Sequence, residues 1–267
     1  MKSFSKALVV LSIGCGPAPA VLLFSDNFDA PDSASFDAAS LAGRLSGTLA
    51  SETYLRSFGF QQSISNNQLL MPLGTNGVRF ENALNDPTGG ADDRFNWAGG
   101  ATGATILGAG GFTVSFDWIA PENTLNDWIS FQVGTVNADN GNLTDDDYGI
   151  LFRNNGATER FDNTVNLGAG GTFAASAGGV ARAVEITYLF NSFADGSSVS
   201  VISSVDGTQV ASDTFTWDGN GGEMRMEMGH NAADTRVDNL MITTVPEPSS
   251  ALILTLGVAG MGLRRKR

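Results

Sequence analysis

The chain has 267 residues, with 28 Asp and Glu against 15 Lys and Arg, one Cys, one His and a formal net charge of −13. That is enough chain for one large β domain or two small ones, with a sizeable core. The charge excludes nucleic acid and anionic membrane surfaces as partners, because each phosphate contact needs a cation. The lone Cys15 and lone His230 exclude disulfide frameworks, zinc clusters and triads that need a second histidine.

The first 20 residues read as a secretory signal: Lys2 and Lys6, the apolar run Ala7 to Ile13, then small residues ending Ala18-Pro19-Ala20. Cleavage is expected after Ala20. A second reading competes, since Ile13-Gly14-Cys15 resembles the end of a lipobox and would acylate Cys15, although Ser12 stands where Leu is usual. Both readings export the chain. With the basic residues of both termini assigned to targeting, residues 21–245 keep 27 acidic residues against nine arginines and no lysine.

Past the leader, Phe36 to Leu45 could make a short helical turn, but Gly43 and Gly47 interrupt it. Residues 85–111 are rich in Gly, Ala and Asp and are expected to form long loops, with a short strand between Thr102 and Leu107. Period two then dominates. Phe112, Val114, Phe116 and Trp118 alternate with Thr113, Ser115 and Asp117, and Ile129, Phe131 and Val133 alternate with Trp128, Ser130 and Gln132. Further strands are expected at Tyr148–Arg153, Val184–Phe190, Ser198–Val205, Val210–Trp217, Glu223–Gly229 and Arg236–Thr243. Asn154-Asn155-Gly156, Asp195-Gly196, Asp206-Gly207 and Asp218 to Gly222 supply turn residues that tolerate positive φ, with Val205-Asp206-Gly207-Thr208 the best hairpin signal. Many short strands without helices between them predict an all-β, two-sheet antiparallel sandwich over residues 21–244.

The chain closes on Val245-Pro246-Glu247-Pro248, an apolar stretch from Ala251 to Leu263, and Arg264-Arg265-Lys266-Arg267. As a separate short hydrophobic helix that stretch would rise about 20 Å, short of the ~30 Å hydrocarbon core. The basic cluster would stay cytoplasmic, placing the preceding domain outside. Residues 245–267 resemble the PEP-CTERM sorting signal of Gram-negative bacteria. The resemblance implies a chain sorted to the cell surface or secreted, inserted transiently in the membrane, and processed by an exosortase. An ordinary C-terminal anchor is the competing reading.

A second resemblance rests on Asp26-Asn27-Phe28-Asp29, Gly43 to Thr48, the Phe112–Trp118 strand, Asp147-Tyr148-Gly149-Ile150 and Val237-Asp238-Asn239-Leu240. Together they are similar to the concanavalin A-like (LamG-type) jelly rolls. That resemblance implies facing antiparallel sheets with the first and last strands adjacent, and implies no activity, since the fold hosts lectins, glycosidases and adhesion modules. It also implies that Asp26 or Asp29 could share a structural calcium with Asp238.

Among residues that could carry chemistry, Glu223-Met224-Arg225-Met226-Glu227 puts two carboxylates on one strand face, as a glycosidase of this fold would need. Arg225 between them would hold both ionised, against the needs of a general acid, so a solvated charge ladder over a methionine core face is the favoured reading. Asp139-Asn140-Gly141-Asn142 with Asp145-Asp146-Asp147 could wrap a hard cation, but lacks EF-hand spacing and reads first as a solvated acidic loop. Trp118 and Trp217 share faces with phenylalanines and belong to the core. Trp97 and Trp128 fall among polar neighbours, where a ring can stack on a sugar, with Arg153 and Asn154 as polar companions. His230 reads as a turn residue. The expectation is an exported, non-catalytic sandwich associated with exopolysaccharide or a cell-surface glycan; a glycosidase of the same fold and a purely structural matrix protein are the alternatives.

Overall fold

The computed structural model describes residues 19–32, 44, 46–47, 53–56, 63–71, 78–81, 100–121, 125–134, 147–162, 165–176, 178–218, 224–232 and 234–246, with backbone alone at 53–56, 78–81, 100, 225 and 227. The chain forms two compact units, Met1–Ala20 with Pro246–Arg267, and Val21–Val245. The helix expected over Ala251–Leu263 and most of the leader lie outside the described residues.

In the second unit the elements run β1 (Leu22–Asp26), β2 (Thr53–Arg56), β3 (Ser63–Ser65), β4 (Gln68–Met71), β5 (Val78–Glu81), α1 (Gly100–Ala109), β6 (Phe112–Ile119) and β7 (Trp128–Gly134). They continue β8 (Tyr148–Arg153), β9 (Thr158–Asp162), β10 (Val165–Ala169), β11 (Ala181–Phe190), β12 (Ser197–Val205), β13 (Thr208–Trp217), β14 (Arg225–His230) and β15 (Thr235–Thr244). An 8-stranded sheet has the order β13-β12-β11-β6-β15-β4-β3 with β1 also on β15, and a 7-stranded sheet has the order β10-β9-β8-β7-β14-β5-β2. Every pairing among them is antiparallel. The expected two-sheet sandwich is therefore observed, and first and last strands are adjacent, Asp26 standing opposite Leu240.

Alternation builds the core. Phe112, Val114, Phe116 and Trp118 on β6 are buried, as are Val184, Ile186, Tyr188 and Phe190 on β11, facing Ile129, Phe131 and Val133 on β7 and Met226 and Met228 on β14. Each fully buried side chain of this size contributes roughly 1.5–3 kcal/mol. Aromatic stacking knits the layer, with Tyr148 on Phe215 at 5.3 Å and Phe116 on Phe131 at 6.2 Å between ring centroids. At one side the sheets are also bridged by polar groups: Tyr148 Oη donates to Asp213 Oδ2 at 2.8 Å and Arg160 Nη1 to Asp213 Oδ1 at 2.5 Å.

Turn chemistry behaves as read at Asp206-Gly207, where both residues have positive φ and Val205 pairs with Thr208, the two-residue hairpin form that matches strand twist. The same geometry closes β3–β4 on Asn66-Asn67, with φ of 54° and 56°. Sequence reading missed that hairpin because strands of three and four residues are too short to show a period.

Residues 100–109 correct the expectation of a loop with a short strand. They form α1, in which Ile106 is fully buried. Three glycines within ten residues hide the helix from propensity, yet its stop was in the sequence. Gly111 N–H donates to Ile106 O (2.9 Å) and Gly110 N–H to Leu107 O (3.1 Å), a Schellman ending with Gly110 at φ +81°. His230 is likewise corrected from turn to strand: it is the last residue of β14, buried, with Nδ1 bonded to Ala232 O at 2.9 Å, and burial lowers its pKa. The strand expected from Glu223 begins at Arg225.

Gly111 fixes the helix against the sheet. Its φ is +143°, and a Cβ there would stand 2.0 Å from Tyr188 O. Gly111→Ala is expected to destabilise the fold by at least about 2 kcal/mol, since the backbone must abandon both its conformation and its position. Gly108, where a Cβ meets nothing within 4 Å, is the matched control. Urea midpoints for Gly111→Ala and Gly108→Ala that differ by less than the measurement error would refute this account.

Candidate functional site

Of the four residues singled out for sugar contact, the structure joins two. Trp128 on β7 stands directly opposite Arg153 on β8. Trp128 is half-buried against Leu151 and Phe161, and Arg153 donates to Glu159 Oε1 from Nε at 2.7 Å and to Asn126 O from Nη1 at 3.5 Å. Asn154 instead is buried in the β8–β9 turn, its N–H bonded to Asp127 O (2.8 Å) and its carbonyl accepting from Ser176 N–H (3.0 Å). Trp97 lies outside the described residues. Ser130 and Gln132 share the face of Trp128, as the alternation requires, but both are buried rather than open to solvent.

The three aspartates considered for calcium take other partners. Asp26 is 1% exposed and pairs with Arg44, whose Nη2 donates to Oδ2 at 2.9 Å while Nε stands 2.8 Å from Oδ1. Its Oδ1 also accepts the N–H of Phe28, whose ring lies 5.6 Å from the guanidinium. Breaking such a buried pair leaves an uncompensated charge and costs about 3–5 kcal/mol. Asp29 is exposed and its Oδ2 accepts a hydrogen bond from Asn27 Nδ2 at 2.5 Å. Asp238 stands opposite Asp117 across β15 and β6. Asn239, at φ +51° in the bulge, relieves that like-charge pairing by donating its backbone N–H to Asp238 Oδ1 (2.7 Å) and its Nδ2 to Asp117 Oδ2 (2.8 Å). Burial, then the neighbouring Asp117, Asp29 and Asp26, raise the pKa of Asp238. Among the described residues no group of three or more acidic, His or Cys side chains is placed to hold a metal.

The alternation is as read: Met224, just before β14, and Met226 and Met228 on it are all buried. The backbone register sets Glu227 between Gln132 of β7 and Arg79 of β5. Glu223 and the loop Asp139 to Asp146 lie outside the described residues. Asp147, the end of that loop, is 2% exposed and accepts Asp218 N–H at 3.0 Å. Burial is the main cause that pushes its pKa up from 3.8 to about 7, with the charges of Asp218, Asp162 and Asp195 adding to it. Sequence reading also missed the partnership of Arg44 with Asp26 and of Arg160 with Asp213. The only available signal was the absence of lysine from residues 21–245, since arginine is the cation best suited to buried ion pairs.

The last strand leads straight into the terminal motif. Thr244 is buried, its N–H donates to Val21 O (2.9 Å), its Oγ1 accepts Val21 N–H (2.8 Å), and Val245 N–H donates to Gly111 O (3.1 Å). Pro246 is exposed.

Residues 244–267 match the family described as the PEP-CTERM protein-sorting motif. No curated protein matches the chain. Among solved structures, the chain is similar to a Trypanosoma rangeli sialidase at 11% identity and TM-score 0.47, covering 86% of this chain and 32% of the sialidase, so it spans about a third of that enzyme. It is similar to the alginate lyase Aly36B at 12% identity and TM-score 0.46, covering 86% of this chain and 99% of the lyase. It is also similar to the Emp46p carbohydrate recognition domain at 9% identity and TM-score 0.44, covering 74% and 89%. Likeness at this level does not bear on ligand or reaction.

Asp147 gives a pH signature. With its folded pKa near 7 and an unfolded value of 3.8, the folded chain holds a proton that the unfolded chain releases between those limits. Its contribution is fully present at acid pH and is lost as pH rises through 7. Unfolding free energies measured from pH 5.5 to pH 8 are expected to fall by an amount on the order of a few kcal/mol. Asp147→Asn should flatten that slope, and an unchanged slope in the variant would show that Asp147 is not its source.

Proposed function

We propose that this protein is an exported, non-catalytic β-sandwich, sorted to the envelope or extracellular matrix of a Gram-negative bacterium, where it associates with polysaccharide. The observation that carries the reading is the match of residues 244–267 to a protein-sorting motif, placed immediately after the strand that closes the domain. A sorting motif implies export, and its processing enzyme, an exosortase, is the partner this reading names. Among the described residues no helix is long and apolar enough to cross a membrane; the segment assigned to transient insertion is Ala251–Leu263, followed by Arg264, Arg265, Lys266 and Arg267.

The hydrogen bonding at Val21 and Thr244 supports a limit on both processing events. Signal cleavage after Ala20 would free Val21 at the strand edge, where its nitrogen already donates to Thr244 Oγ1. A protease that binds its substrate extended can engage the chain from Pro246 onward without unzipping β15, so the cut belongs beyond Val245. For polysaccharide, half-buried Trp128 opposite Arg153 pairs an aromatic ring with a polar head, the combination that sugar contact uses.

Expressed in a host with an exosortase, the full chain is expected in the cell-surface fraction, starting at Val21 and ending at or beyond Val245 by intact mass. Deleting residues 246–267 should shift it to the medium. Unchanged fractionation after the deletion refutes the sorting reading, and a mature C-terminus before Thr244 refutes the limit set by the sheet.

A further inference from the structure

At one end of the 8-stranded sheet, four segments distant in sequence frame a groove of about 590 Å3, one of them the turn before β11 at Gly179. Asn66 and Gln68 come from the β3–β4 hairpin, Ile119 and Pro121 from the end of β6, and Asp234 and Arg236 from the start of β15. Its volume lies within the ~300–1,000 Å3 of small-molecule sites. Arg236 is pinned but not neutralised: Nη1 donates to Ser65 O at 3.1 Å and to Gln68 Oε1 at 3.5 Å, both uncharged acceptors. Arg44, Arg153, Arg160 and Arg182 each bond a carboxylate, of Asp26, Glu159, Asp213 and Asp206. Among the described arginine side chains Arg236 is the one without such a partner, and it lines the groove.

We infer that this groove binds a sugar bearing a single carboxylate, a hexuronate unit of an acidic polysaccharide. The guanidinium fork matches a carboxylate. Asp234 in the same wall disfavours a dianion such as a phosphate monoester, and can accept protons from sugar hydroxyls, as Gln68 and Asn66 can exchange hydrogen bonds with them. Ile119 and Pro121 supply an apolar wall for the C–H face of the ring. The 27 acids against nine arginines in residues 21–245 oppose any anion, but over distances beyond the ~8 Å screening length at physiological salt their effect fades, leaving the local cation to decide. The inference rests on the polysaccharide reading and gives its ligand class, at a place apart from Trp128 and Arg153.

Calorimetry on the secreted protein with trigalacturonate, maltotriose and glucose 6-phosphate tests it. Trigalacturonate is expected to bind most tightly and to weaken with added salt, and Arg236→Gln should lose at least tenfold in affinity. Asp234→Asn should tighten trigalacturonate several-fold, and Asn suits the φ of +65° at this position, so this gain remains readable if Arg236→Gln folds poorly. The groove is overturned if both variants bind trigalacturonate as the parent does, or if glucose 6-phosphate binds more tightly than trigalacturonate. Maltotriose binding that is lost in Trp128→Ala and indifferent to Arg236 overturns the groove while supporting the polysaccharide reading. Absence of binding by all three sugars overturns the groove and counts against that reading.

Discussion

The antiparallel insertion of β15 into the middle of the larger sheet is the constraint on which the rest of the structure depends. β15 pairs with β6 on one side, with β4 and β1 on the other, and β14 holds the same place in the smaller sheet between β7 and β5. β1, the β3–β4 hairpin and the β2–β5 pair therefore join the rest of their sheets only through the last two strands, β14 and β15; the hydrogen bonds between Val21 and Thr244 span 223 positions. Such non-local pairing makes folding slow, because loop closure must precede the contacts that reward it. For an exported chain this means that the sandwich completes only after nearly all of it has crossed the membrane. It also means that the terminal motif begins where the sheet ends.

Charge is organised around that frame. In a domain with three times as many acids as bases, four of the described arginine side chains pair with carboxylates and three of these close seams. Arg44 ties Asp26 beside β1, Arg160 crosses between the sheets to Asp213, and Arg182 reaches Asp206 in the β12–β13 hairpin while its guanidinium lies 5.3 Å from the Phe173 ring. Carboxylates without a cation are managed by other means. Asp238 and Asp117 are separated by Asn239, and Asp147 is pushed toward its protonated form by burial. Against this pattern Arg236, held only by neutral oxygens at a groove, is the exception that the structure exposes.

The long strands were legible because period two needs six or more residues to declare itself: β6, β11, β12, β13 and β15 sit within a few residues of where alternation put them. The short ones were not. β3 and β4 are fixed by pairing with a distant β15, and β9 is masked by Arg160, a charged residue turned inward that breaks the apolar alternation. α1 was hidden by glycines and is held by the burial of Ile106 and by its Schellman ending. At the candidate sites the same limit applies. Trp128 and Arg153 could be nominated singly, but their facing positions follow from the β7–β8 register, and Asn154 looked polar and available while its turn buries it.

By itself the sequence determined the sorting motif, the all-β class and the methionine and aromatic core faces, because each of these is written in local pattern. Tertiary structure alone decided which charges neutralise one another and which remain free to bind. Asp26 became a partner of Arg44 and not a lone carboxylate, and Arg236 met Asn66, Gln68 and Ile119 across gaps of more than a hundred residues. The physical reason is that electrostatic identity depends on distance in space, and in a sheet whose central strand comes last, neighbours in space are seldom neighbours in sequence.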